Sequence, residues 1–151
     1  MKLRYFEDIK EGEALKCAPV EFTRDAILEF GRRFDPQPFH VDEDAADASI
    51  FKGLVASSLH TLSACTRVVV EALDGAVILT GVGVEKTVLF HPVRPGDILT
   101  VNAQWADMRR SATKPGNGFA TVRCEVVNQN GRLVMRHGYN YMLACREEGA
   151  D

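Results

Sequence analysis

The stretch SSLHTLSACTRVVVEALDG, residues 57 to 75, decides the fold. Leu59, Leu62, Val69 and Leu73 recur at helical spacing, and Val68 and Val70 widen that stripe almost all round. A helix apolar on most of its circumference is predicted to be buried rather than to lie on a surface. Ser57 or Ser58 opens it with a capping hydroxyl. Gly75, after Asp74, is free to take the left-handed backbone that closes it.

Four strand-like segments follow, at 76–90, 97–108, 118–129 and 132–145. Pro95-Gly96-Asp97 marks a turn between them, and Asn130-Gly131 predicts a two-residue hairpin. On the N-terminal side, Thr23 caps RDAILEFGRRF, where Ile27, Phe30 and Phe34 recur at helical spacing. That helix is expected to end near Phe34. Pro36 and Pro38 lack backbone donors and push Asp35 and Gln37 towards extended backbone, so DPQPFH (35–40) does not continue it. A second short helix is expected from Asp42. One long buried helix followed by an antiparallel meander implies an α+β domain whose sheet wraps the helix. Such a sheet leaves an edge strand free, which a symmetric dimer would cover.

The chain has 151 residues, 46% of them apolar and 26% charged, which suits one globular domain spanning residues 1–151. The N-terminal run MKLRYFEDIKEGE is charged, and no run approaches the roughly 18 to 20 apolar residues of a membrane span. A cytoplasmic protein without membrane contact is expected. Cys17, Cys65, Cys124 and Cys145 are scattered, with no CxxC pairing, so neither a disulfide framework nor a zinc site is expected. A net charge of −3 gives no general attraction for nucleic acid.

Three groups of residues could carry chemistry. Asp35 and His40 place a carboxylate and an imidazole on the segment after the first helix, where together they could hold a water and move its protons. Five residues fully extended span about 16 Å, so the segment must curl for both to reach one centre. A turn-capping Asp35 and an ordinary surface His40 fit the same pattern. Gly53, Ser57 and Ser58 lie in FKGLVASSLH (51–60) at the entry to the long helix, where free N–H groups and the helix dipole favour developing negative charge. Plain capping by Ser57 or Ser58 fits equally. Arg109, Arg110 and Lys114 gather between two strands, as phosphate partners or as a solvated hairpin tip. His60 is read as a hydrogen-bonded core or interface residue, and His91 and His137 show no ligand spacing, so no metal is assigned. Ser58 lacks a GxSxG context for a nucleophile.

The runs FDPQPFHVDEDAA (34–46), GLVASSLHT (53–61) and FHPVRPGD (90–97) resemble the MaoC-like dehydratases, relatives of the R-specific enoyl-CoA hydratases, over nearly the whole chain. The resemblance implies a hot dog fold, a long helix wrapped by an antiparallel sheet, and a homodimer with acyl-thioester sites near the subunit interface. It implies reversible hydration of a 2-enoyl thioester, with CoA as part of the substrate and no separate cofactor. Asp35 and His40 then take the place of the catalytic pair, without a division of roles between them. Gln37 stands where the family commonly has an active-site Asn. Ser58 stands where relatives commonly have a Gly whose N–H is the oxyanion donor, and Arg33-Phe34 replaces a common Ser-Gly. Thioester hydrolysis and non-catalytic acyl-thioester binding are the alternatives on the same fold.

Overall fold

A computed structural model describes residues 2–146. After a single 3-10 turn at Phe6–Asp8 come two short strands, β1 (Ala14–Leu15) and β2 (Val20–Glu21). Four helices follow: α1 (Arg24–Phe34), α2 (Pro38–Val41), α3 (Glu43–Ala48) and α4 (Ser58–Glu71). The remaining strands are β3 (Ile78–Val84), β4 (Val88–Leu89), β5 (Ile98–Arg110), β6 (Asn117–Val127) and β7 (Leu133–Ala144).

The sheet runs β1-β5-β6-β7-β3 with antiparallel pairings, β2 adding to β5 and β4 to β7. Side chains alternate across it, so Leu99, Val101, Ala103 and Trp105 of β5 and Val122, Cys124 and Val126 of β6 join the buried core. The Thr66 hydroxyl of α4 lies 2.7 Å from the Tyr139 hydroxyl of β7, a polar tie between helix and sheet.

Sequence and structure part at several places. The long helix buries one face, Thr61, Cys65, Val68 and Val69, while Leu59 and Val70 are 53% and 51% exposed. The sheet covers α4 from one side, so the expected all-round burial fails within one chain. Phe34 of α1 is likewise exposed, and Ile27, Leu28 and Gly31 form its buried face. The segment 76–90 is two strands, and β3 carries bulges between Ile78 and Thr80 and between Gly81 and Gly83. The hairpin at Asn130-Gly131 has a three-residue loop: Gly131 N–H donates to the Asn128 carbonyl, Asn128 N–H to the Arg132 carbonyl, and only Gly131 has a left-handed φ, of 73°. A two-residue type I′ turn would require Asn130 to be left-handed as well. His60 stacks on Phe30 at 4.7 Å, and its buried Nδ1 has no hydrogen-bond partner, contrary to the expected bonded histidine.

Gly31 sets the distance between α1 and α2. A Cβ there would stand 2.7 Å from the His40 carbonyl oxygen and 3.1 Å from both the His40 Cβ and a Val41 methyl. Alanine normally gains up to about 1 kcal/mol over glycine inside a helix. Here the forced separation costs about 1–3 kcal/mol. Gly31→Ala is therefore expected to lower the urea midpoint; a higher midpoint would show that the two helices do not pack this closely.

Candidate active site

The curl that Asp35 and His40 require comes from their own local backbone. Asp35 caps the end of α1, its N–H donating to the Gly31 carbonyl at 2.9 Å. Gln37 N–H then folds back onto the Asp35 carbonyl at 2.8 Å, and His40 N–H onto the Gln37 carbonyl at 2.9 Å. His40 thus sits on one helical turn rather than on the non-helical backbone expected from the two prolines. Pro38 occupies the first position of α2, where a missing N–H costs nothing and the fixed φ favours the helix.

The imidazole is held from the other side by the chain that enters α4. His40 Nδ1 lies 2.6 Å from the Val55 carbonyl oxygen. A carbonyl only accepts, so Nδ1 carries the hydrogen and Nε2 of the neutral ring is a bare lone pair. That Nε2 stands 3.5 Å from Asp35 Oδ2, with His40 buried and Asp35 partly so. Two acceptors facing each other at this separation make no hydrogen bond of their own. They suit a shared proton donor.

Asp35 is oriented by two further groups. The Ser57 hydroxyl donates to Oδ2 at 2.6 Å, and the Gln37 side-chain amide donates to Oδ1 at 3.0 Å. The Ser57 hydroxyl also accepts the Leu59 N–H, so one buried oxygen caps α4 and grips the carboxylate. These donors, Ser57 first and Gln37 second, hold the Asp35 carboxyl below its ordinary range against the opposing effect of burial. Asp35 is therefore anionic at neutral pH.

A groove of about 310 Å³ opens beside the pair, lined by His40 and Ser58 and walled by Phe39, Phe51, Leu89 and Phe90. Ser58 is the first residue of α4, so its N–H has no acceptor within the helix. A larger hollow of about 530 Å³ lies elsewhere, lined by Lys86, Arg123, Glu125 and Arg136, and includes neither Asp35 nor His40. An apolar groove with a few polar groups converging at one end is the ordinary form of a small-molecule site.

Not every sequence-derived candidate gathers here. Gly53 N–H is occupied by the Ala46 carbonyl at 3.1 Å, and Gly53 packs against the Arg94 guanidinium. It shapes a loop and offers no free donor. Arg110 pairs with Glu7 at 2.6 Å, Arg109 lies over the Phe119 ring, and Lys114 sits at the tip of the β5–β6 hairpin. The groove touches Val134, near the opposite end of that ladder, so roughly 30 Å of strand separates these cations from it within one chain. Sequence reasoning missed Gly31, whose available signal was a glycine inside a helical run, and the Val55 carbonyl, which acts through backbone and leaves no mark in residue type. His137 is buried in the core, and desolvation pushes its imidazole down to about 4. Among the described residues no cluster of three or more His, Cys, Asp or Glu could hold a metal ion.

The fold is of the hot dog class, an antiparallel sheet laid against one long helix. Residues 8–128 match the family model for the MaoC-like domain, and the chain belongs to that family. It is 31% identical over 147 residues to an (R)-specific enoyl-CoA hydratase of Rhodospirillum rubrum, a match covering 95% of this chain and 94% of that protein. The crystal structure of a MaoC-like dehydratase from the same organism superposes with a TM-score of 0.85 at 32% identity, over 95% of this chain and 99% of that one. A Mycobacterium tuberculosis protein described as having a double hotdog fold superposes with a TM-score of 0.81 at 17% identity, over 99% of this chain and 46% of that one. That last likeness concerns the fold alone. No helix among the described residues is long and apolar enough to cross a membrane.

The grip of Ser57 on Asp35 has a measurable sign. A carboxyl whose pKa is depressed by folding stabilises the fold above its unfolded value, and that contribution is lost as pH falls through the folded value. Ser57→Ala removes the stronger donor, so the Asp35 carboxyl carbon resonance should titrate at a higher pH than in the parent protein. An unchanged midpoint would remove Ser57 from the account.

Proposed function

We propose that the chain hydrates a 2-enoyl thioester reversibly to the 3-hydroxyacyl thioester, with CoA as the carrier. The observation that carries this reading is the opposition of two acceptors, Asp35 Oδ2 and His40 Nε2, 3.5 Å apart at the side of an apolar groove. A water bound between them donates one hydrogen to each. As its oxygen bonds to C3 of the enoyl group, a water proton passes to His40 Nε2, and the resulting imidazolium faces the Asp35 carboxylate. The electrons of the C2–C3 double bond move towards the thioester oxygen, where the Ser58 N–H at the start of α4 stabilises the enolate. The proton returns from His40 to C2, which balances the addition of one water. Asp35 is the weaker base, because Ser57 and Gln37 already stabilise its anion, and its part is to orient the water and offset the imidazolium charge. Gln37 supports that carboxylate from solvent.

Crotonyl-CoA and longer enoyl-CoAs are the substrates to test, following loss of the conjugated double bond. Asp35→Asn and His40→Ala should each lower kcat by at least about a hundredfold. Normal rates in both variants would remove the pair from the mechanism. Release of free thiol with the double bond intact would mark hydrolysis instead, and ligand-induced thermal stabilisation without turnover would mark a binding module.

A homodimer joined through β3 completes the reading. This edge strand exposes Leu79, Val82 and Val84, and an unpaired apolar edge favours strand addition by a second copy. Val82→Lys should shift the mass measured by light scattering from dimer towards monomer; a monomeric parent protein would overturn the assignment.

A further inference from the structure

The groove beside His40 carries a second imidazole that the hydration chemistry does not use. His91 lines the same cavity as His40 and Ser58. Its segment is pinned to β7 by two bonds: Phe90 N–H donates to the Val134 carbonyl at 2.9 Å, and His91 Nδ1 lies 2.8 Å from the Leu133 carbonyl. The carbonyl again fixes the tautomer, so Nδ1 carries the hydrogen and the neutral ring leaves Nε2 as an acceptor.

The surroundings make that acceptor conspicuous. Apart from His40 and Ser58 at the reacting end, the polar side chains of the lining are Thr61 and His91. The Thr61 hydroxyl already donates to the Ser57 carbonyl. Neither lysine nor arginine lines the groove. Two neighbouring guanidiniums are engaged: Arg136 lies over the Phe90 ring and pairs with Glu125, and Arg94 donates to the Phe51 carbonyl. A carboxylate on the acyl group would meet no lysine or arginine in the lining, whereas a neutral hydroxyl finds an acceptor of suitable kind.

Resting on the hydratase reading of this groove, we propose that His91 is a specificity residue whose Nε2 accepts a hydrogen bond from a hydroxyl on the acyl chain. The preferred substrate is then a hydroxylated 2-enoyl thioester, and not a plain hydrocarbon one. One neutral hydrogen bond at an exposed site corresponds to a preference of about threefold to tenfold.

The test compares hex-2-enoyl-CoA with its 4-, 5- and 6-hydroxy counterparts, in the parent protein, in His91→Phe and in His91→Asn. At least one hydroxylated thioester should show a kcat/KM about threefold to tenfold above that of the unsubstituted one. His91→Phe should bring the hydroxylated and the unsubstituted thioesters to one and the same kcat/KM, and His91→Asn, which keeps an acceptor, should retain part of the preference. No preference in the parent protein, or a preference that survives His91→Phe, would overturn the proposal. An equal loss on all four thioesters in His91→Phe would also overturn it, by placing the contact on the amides of the carrier arm. Calorimetric binding of the saturated hydroxylated and unsubstituted acyl-CoAs reads the same difference without turnover. Failure of the hydratase reading would show separately, as absence of hydration in the parent protein.

Discussion

The site depends on one short bond, between His40 Nδ1 and the carbonyl of Val55. It decides which ring nitrogen is free, and it joins two parts of the chain that meet only in the folded state. α2 reaches that position because Gly31 lets it lie directly on α1. The Val55 segment is held in turn, its N–H on the Phe39 carbonyl and the Ala56 N–H on the Val93 carbonyl. Two residues further on, Ser57 caps α4 and reaches back to Asp35. The carboxylate, the imidazole and the helix start are thus parts of one hydrogen-bonded unit, and a shift in any of them is felt by the others.

That unit divides charge unequally. Asp35 is anionic because two side-chain donors favour its charged form more than partial burial opposes it. Ser58, the first residue of α4 at its positive end, lines the same groove. Phenylalanine and leucine wall that groove. Preorganised charge of this kind is what a reaction passing through an enolate requires.

Much of this arrangement was legible in the sequence where the relevant signal is local. The Thr23 cap and the prolines after Phe34 placed α1, and Asp42 placed the start of α3, because caps and proline act within a few residues. The long strands followed from alternation. The strands β1 and β2, of two residues each, have no periodicity to read and exist only because β5 offers them an edge. The exposed side of α4 was misread, since Leu59 and Val70 satisfy a helical stripe whether or not a sheet lies against them. Asp35 and His40 stood out by residue type, but their convergence required Val55, fifteen positions beyond His40, and a carbonyl has no letter in the sequence. The arginine cluster was read from composition alone, which carries no distance, and strand length places it at the far end of the sheet from the groove within one chain.

Val55 contributes to His40 through its main chain, so a residue other than proline at position 55 keeps the carbonyl that decides which nitrogen bears the hydrogen. Replacing that valine would reshape the wall of the cavity and leave the carbonyl that holds Nδ1 in place. The same holds for His91 and the main chain at Leu133. Protonation geometry is thereby inherited from the path of the backbone, while the selectivity of the cavity is left to side chains. Evolution on this scaffold is free to vary the cavity wall without disturbing the backbone that sets the two imidazole tautomers.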